Sequence, residues 1–364
     1  MFDRIVIVGV GLIGGSLGLA IRRKNKAITI AGVSSEAAVK SAIELGAIDE
    51  GYGYDELDTA VKDADIVFLC TPITRIKELM TEVSVSLKPG ALVTDVGSTK
   101  HEIANHARDV LPAGVHFIGG HPMTGSEKRG VNASDPFLFQ NAIYVLCPAD
   151  DVPKEIVEEF SGFIHVTGAR IVIMESELHD NIAAAISHLP QMIAVTLVNM
   201  VQNETTDSAP YLQLAAGGFR DMTRIASSPF KMWDDICRTN AEAIKNALDM
   251  FIKNLSDLKE RIGTDALRDD FEQANNTRAN IPKDTKGFAK TLHEVFAVVE
   301  DKPGVIHRIA GELAAHNINI KDIEVLKVRE GEGGTLRLAF DSEEEAVQVV
   351  DILNRIGFKS RLRG

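Results

Sequence analysis

The chain has 364 residues, with 39 basic against 52 acidic side chains and a net charge of −13; 45% of its residues are apolar and 25% charged. That length is too great for one ordinary core and predicts two or three domains of a soluble globular protein. The acidic balance argues against a nucleic-acid or anionic-membrane partner, so an anionic ligand would need a local cluster of donors. Cys70, Cys147 and Cys237 are scattered without metal-type spacing and read as reduced thiols of a cytoplasmic protein with no metal site.

Met1 to Arg4 run straight into a strand pattern, with no cationic leader. Arg4–Val8 is an almost wholly apolar run suited to a central parallel strand, and Gly9, Gly11 and Gly14 follow it at the spacing G-x-G-x-x-G. The first glycine permits a tight turn, the second lets backbone approach a pyrophosphate, and the third lets the helix pack on the strand. Leu12 and Ile13 open that helix, whose free N–H groups favour phosphate. A second strand is predicted over 28–33, so the whole reads as a Rossmann-type α/β dinucleotide-binding domain over 1–170. The ribose-binding position falls on Ser34, before Ser35 and Glu36. Serine serves a hydroxyl or a 2′-phosphate, but no arginine follows to grip a phosphate and Glu36 would repel one. NAD is therefore favoured, with NADP possible.

Two further strands are predicted at 65–70 and 91–96. The first ends in Thr71-Pro72 and the second in Gly97-Ser98-Thr99-Lys100, both at the carboxyl edge where such folds bind ligands. Ser98 suits contact with the nicotinamide ribose or substrate, or a helix cap; Cys70 reads as a core thiol. After a strand at 115–118 comes Gly119-Gly120-His121-Pro122-Met123-Thr124-Gly125-Ser126-Glu127. Paired glycines, a turn-fixing proline and Glu127 set His121 apart from His116, which reads as structural, and make it a candidate general base.

These segments, with Gly217-Gly218-Phe219-Arg220-Asp221-Met222-Thr223-Arg224, resemble the prephenate and arogenate dehydrogenases over about residues 1–260. The resemblance implies a nicotinamide-dependent oxidation of prephenate in tyrosine biosynthesis, with loss of hydride and carbon dioxide. His121 would take the hydroxyl proton; an imidazole with its ordinary pKa near 6.5 suits that task. Ser98 would assist, Arg224 would hold a carboxylate bidentately, and Glu127 would partner or gate that arginine. Asn141 stands where arogenate-specific relatives place an acid, which favours prephenate over arogenate; a dual-substrate enzyme is the alternative. A non-catalytic NAD-binding amino-acid sensor is a third reading, opposed by the joint presence of His121, Glu127 and Arg224.

From Ser176 long apolar periods predict an all-helical substrate and dimerisation domain over 171–262. Its apolar stretch Ile182–Val201 is broken by Ser187, His188, Pro190, Gln191 and Asn199, and reads as a buried helix or helix pair and a poor bilayer span. His179 and His188 are nine apart, half a circle on a continuous helix, so both cannot face one site unless the helix breaks. The resemblance favours His188 as the pocket residue and leaves His179 structural. Asp221 and Arg224 share a helical face, as substrate groups or as a surface pair. Trp233 reads as a core or interface anchor, and in the family it reaches a neighbouring subunit's site. The apolar helices predict a homodimer.

The polar stretch 263–290 reads as a linker. Residues 291–364 alternate as βαββαβ and resemble an ACT domain, which implies an amino-acid effector near Asp301, Pro303, Gly304, Asn319 and Ile320. Tyrosine, the end product, is the expected ligand, and a purely structural dimerisation module is the alternative.

Overall fold

The computed structural model describes residues 2–124, 128–203, 209–280, 292–329 and 333–362. Chain contacts divide it into two units, Met1–Arg278 and Ala279–Gly364.

The first unit begins β1 (Arg4–Val8), α1 (Leu12–Lys24), β2 (Thr29–Val33), α2 (Glu36–Glu44), β3 (Glu50–Tyr52), α3 (Leu57–Val61), β4 (Ile66–Leu69) and α4 (Ile73–Ser84). It continues β5 (Leu92–Asp95), α5 (His101–Val110), β6 (His116–Pro122), β7 (Ile143–Pro148), α6 (Lys154–His165) and β8 (Arg170–Ile173). These strands make one sheet in the order β3-β2-β1-β4-β5-β6-β7-β8. Strands β1 to β6 run parallel and β7 opposes β6. The chain reverses its direction of winding between β1 and β4, which opens a crevice at their carboxyl ends. Ile5 and Ile7 belong to one buried cluster and Val6 and Val8 to another, on the two faces of the sheet. Burial on both faces is why the strand is apolar at every position after Arg4.

Helices follow: α7 (Ser176–Ala183), a π turn at Ala184–His188, α8 (Leu189–Asn203), α9 (Ala209–Leu214), α10 (Gly217–Thr223), α11 (Phe230–Thr239), α12 (Ala241–Arg261) and α13 (Leu267–Asn280). Trp233, Ile236, Ile244 and Ala247 join the cluster of Val6 and Val8, so this helical part shares a core with one sheet face. That shared core is why the two predicted domains form one unit. The run Ser176–Gln202 is long and apolar enough to cross a membrane, yet it buries His179, Asp180, His188 and Gln191. The stretch expected as a linker differs from expectation: it contains α13, none of whose side chains is buried. A helix polar on all sides has no apolar stripe for a sequence reading to find.

The second unit runs β9 (His293–Val299), α14 (Val305–Ala315), β10 (Asp322–Arg329), β11 (Gly333–Phe340), α15 (Glu343–Arg355) and β12 (Lys359–Leu362). Its sheet is antiparallel in the order β10-β11-β9-β12. Val295, Ala297, Leu336 and Leu338 pack with Ile309 and Leu313 of α14 and Val349 and Leu353 of α15. The predicted βαββαβ order is the observed one.

Candidate active site

The three glycines after β1 divide their work as the spacing predicts. Gly9 has φ +95° and lies so close to β4 that a Cβ there would fall 2.6 Å from the Cys70 carbonyl oxygen. A Cβ on Gly14 would fall 2.4 Å from the Gly9 carbonyl oxygen, so α1 packs hard against the turn. A Cβ on Gly11 would meet nothing within 4 Å, which leaves open space at the amino end of α1. Leu12 and Ile13 form the first turn of that helix. Across the crevice, the Thr71 hydroxyl is buried without a partner among the described residues, and Pro72 caps α4. Half-buried Ser34 follows β2, its N–H donating to the Tyr52 carbonyl (3.2 Å). An open helix end facing an unpaired hydroxyl fits a pyrophosphate-bearing dinucleotide.

His121 lies on β6, opposite Val145 of β7. The glycines before it are required by a close approach: a Cβ on Gly120 would fall 2.4 Å from the Asp95 carbonyl oxygen. Beneath this point sits a fully buried ion pair, Lys100 with Asp95. Lys100 Nζ also donates to the Gly120 carbonyl (2.8 Å), and Asp95 accepts the N–H groups of Gly97 (2.8 Å) and Gly120 (3.2 Å). The pair thus ties the end of β5, the half-buried Ser98 loop and the strand that carries His121.

The other side of His121 is built by α7. His121 Nδ1 lies 2.8 Å from His179 Nε2, and His179 Nδ1 lies 2.7 Å from Asp180 Oδ1. Asp180 accepts the backbone N–H groups of Lys100 (2.7 Å) and His101 (2.9 Å), where α5 begins. Asn240 Nδ2 donates to the Asp180 carbonyl (2.8 Å) and lies 3.3 Å from His188 Nδ1. Burial, and then the neighbouring His179, Lys100 and His188, hold the His121 imidazole well below its ordinary 6.5. This corrects the expectation of an unperturbed value and leaves the ring neutral at physiological pH. Burial pushes His188 down to about 4, against the opposing pull of Asp180.

The assignment of His179 is also corrected: it is the residue in direct contact with His121. His188 is buried nearby, its ring edge-on to Trp233 at 5.8 Å. The π turn between the two histidines breaks the α-helical rotation that would have set them half a circle apart. Trp233 lies in the core of its own chain, its indole N–H without a partner among the described residues. Arg224 and Asp221 are exposed at the end of α10 and the turn after it, and among the described residues no ion pair joins them. Glu127 lies outside the described residues. Asn141 has φ +59°, with its N–H donating to Gly168 (2.7 Å). Asparagine tolerates that left-handed backbone, so the residue has a turn reason that is independent of substrate. Asp95, Lys100, Asp180 and Asn240 were not anticipated as site residues.

In the second unit, Gly304 (φ +88°) caps α14 at its amino end, beside exposed Asp301 and Pro303. Asn319 and Ile320 precede β10, whose first residue pairs through β11 with the opposite, amino end of β9. The two halves of the expected effector site therefore sit at opposite ends of the sheet, roughly 20 Å apart at about 3.4 Å per residue. One copy of the unit does not bring them together.

Three family models cover the chain: "Prephenate dehydrogenase, nucleotide-binding domain" over 17–173, "Prephenate dehydrogenase, dimerization domain" over 175–277, and "ACT domain" over 293–358. The chain is 37% identical to a prephenate dehydrogenase of Bacillus subtilis, over 95% of this chain and 94% of that one. It is similar to the solved prephenate dehydrogenase of A. aeolicus in complex with hydroxyphenyl propionate and NAD+ (TM-score 0.72, 31% identity, 78% of this chain and 99% of that one). It is similar also to the arogenate dehydrogenase of Synechocystis (TM-score 0.70, 31% identity, 77% and 100%). With a nucleotide crevice and a neutral histidine on one sheet edge, and these matches along its length, the chain belongs to the prephenate dehydrogenase family and carries an ACT domain.

Proposed function

We propose that this protein is a cytoplasmic NAD-dependent enzyme that oxidatively decarboxylates prephenate to 4-hydroxyphenylpyruvate. The observation that carries the reading is His121: a neutral imidazole backed by His179 and Asp180, on the same sheet edge as the glycine crevice. His121 takes the proton of the ring 4-hydroxyl as the carbon beneath it loses hydride. The bond to the ring carboxylate breaks, carbon dioxide leaves, and its electron pair completes the aromatic ring. NAD+, bound at Gly9, Gly11, Leu12, Ile13, Gly14, Ser34, Thr71 and Pro72, supplies the hydride acceptor. Ser98 serves the reacting hydroxyl, Arg224 holds a substrate carboxylate, and Asp221, His188 and Trp233 complete the substrate site. Exposed apolar side chains on the helical part, Leu214 at 82% and Phe230 at 75% among them, support a homodimer through the matched dimerisation domain. The ACT domain supports feedback by tyrosine.

The decisive experiment compares steady-state kinetics for prephenate and arogenate with NAD and NADP, each with and without tyrosine. Prephenate with NAD is expected to give the highest kcat/KM, and tyrosine to lower it. A preference for arogenate would move the protein to the other branch of its family. Tyrosine that changes neither activity nor thermal stability would remove it as effector. Arg224→Ala is expected to raise the KM for prephenate roughly 10- to 100-fold by removing a charge-assisted contact, with kcat less affected. An unaltered KM places the carboxylate elsewhere.

A further inference from the structure

The geometry points to His179 and Asp180 as positioning residues that fix the ring tautomer of His121 and leave its Nε2 as the bare nitrogen. This inference rests on the reading of His121 as the base. Both oxygens of Asp180 already accept backbone N–H groups, Oδ1 from Lys100 (2.7 Å) and Oδ2 from His101 (2.9 Å). At the start of a ten-residue helix these groups orient the carboxylate and leave it an acceptor. Oδ1 therefore meets His179 Nδ1 (2.7 Å) as the acceptor of a proton carried on that nitrogen. A neutral imidazole with its proton on Nδ1 has its lone pair on Nε2. His179 Nε2, 2.8 Å from His121 Nδ1, then accepts, and the His121 proton sits on Nδ1. Each bond dictates the next, from a helix end to the free nitrogen of His121.

Asp180 as a residue is held from three elements. It caps α5, which follows the Ser98 loop; it belongs to α7; and the Asn240 amide at the start of α12 grips its backbone carbonyl. Asp180 thereby ties the start of α5, just after the Ser98 loop, to the histidine pair that ends at His121. Among the described residues, the charged and titratable groups facing His121 are Lys100 from the β5–α5 loop, His179 from α7 and His188 from the π turn. Asp95, paired with Lys100, and Asp180, paired with His179, stand behind them.

Asp180→Asn reverses the chain of bonds. With its oxygen on the His101 N–H and its amide nitrogen in the place of Oδ1, where the Lys100 N–H loses its acceptor, the new side chain donates to His179 Nδ1, His179 then donates from Nε2 to His121 Nδ1, and the His121 proton moves to Nε2, where it blocks the base. Turnover is expected to fall roughly 10²- to 10⁴-fold, with the KM for NAD and prephenate near wild type. Histidine nitrogen NMR on labelled full-length protein, with His121 assigned by its absence in His121→Asn, is expected to show Nε2 bare in the wild type and protonated in Asp180→Asn. His179→Gln, whose amide oxygen accepts from His121 Nδ1, is expected to keep the wild-type tautomer and most of the turnover, and His179→Leu to lose both. Lost turnover with an unchanged tautomer in Asp180→Asn, a changed tautomer with full kcat, or equal turnover in His179→Gln and His179→Leu overturns the inference. If loss of the α5 cap prevents Asp180→Asn from folding, the His179 pair decides. The tautomer is read without substrate, so its outcome is separate from whether prephenate is turned over.

Discussion

In His121→Asn, kcat is expected to fall by about 10²- to 10⁴-fold, the usual contribution of a general base, while NAD binding stays near wild type. Asparagine is the informative replacement because its amide N–H can still donate to His179 Nε2, now 2.8 Å from His121 Nδ1. The loss then reports the missing base and little else. The pH profile adds a sign. The base must be neutral to act, and burial lowers its affinity for protons. Wild-type kcat/KM is therefore expected to stay flat as pH falls through 6.5 and to drop only well below it. That limb disappears in the residual activity of the variant. Near-normal turnover in His121→Asn removes it from the base role, and an acid limb centred at 6.5 contradicts the effect of burial.

Lys100→Met is expected to cost about 3–5 kcal/mol of stability, because it strands the fully buried Asp95 without its cation. The melting transition of the first unit should fall by roughly 10 °C. Asp95 would retain the N–H groups of Gly97 and Gly120, which cannot neutralise it. Asp95→Asn combined with Lys100→Met is expected to recover much of the loss, since the stranded charge is gone and the amide oxygen still accepts one of the two backbone N–H groups. Equal melting of the single and double variants means that lost packing, and not an unpaired charge, dominates.

What could be read in the sequence was what neighbouring residues decide. Gly9, Gly11 and Gly14 act within six positions of one another; the structure gives Gly9 and Gly14 different physical reasons to lack a side chain and leaves open space at Gly11. His121 stood out through the glycines before it, and the ACT-like unit through the order of its elements. The supports of His121 are non-local: Lys100 reaches it through a carbonyl twenty residues on, and His179 lies fifty-eight residues away. Asp95 and Lys100 were in view as the end of a strand and the loop after it, but only the sheet brings Gly120 between them. Helical arithmetic admits only one of His179 and His188 to the site and the resemblance favours His188, but the helix between them is not α-helical throughout. The effector residues were grouped by resemblance, and strand pairing within one copy separates them.

The π turn at Ala184–His188 has a further consequence. Relative to an α-helix it holds one surplus residue, and its hydrogen-bond ladder is the poorer for it. Closing that turn into a regular α-helix with every residue kept would leave a better helix and a worse enzyme. Everything after it would rotate by up to about 100°, turning His188 away from Asn240 while His179 stayed in place. At this point the backbone conformation of the turn, rather than the identity of any side chain, is what the site requires.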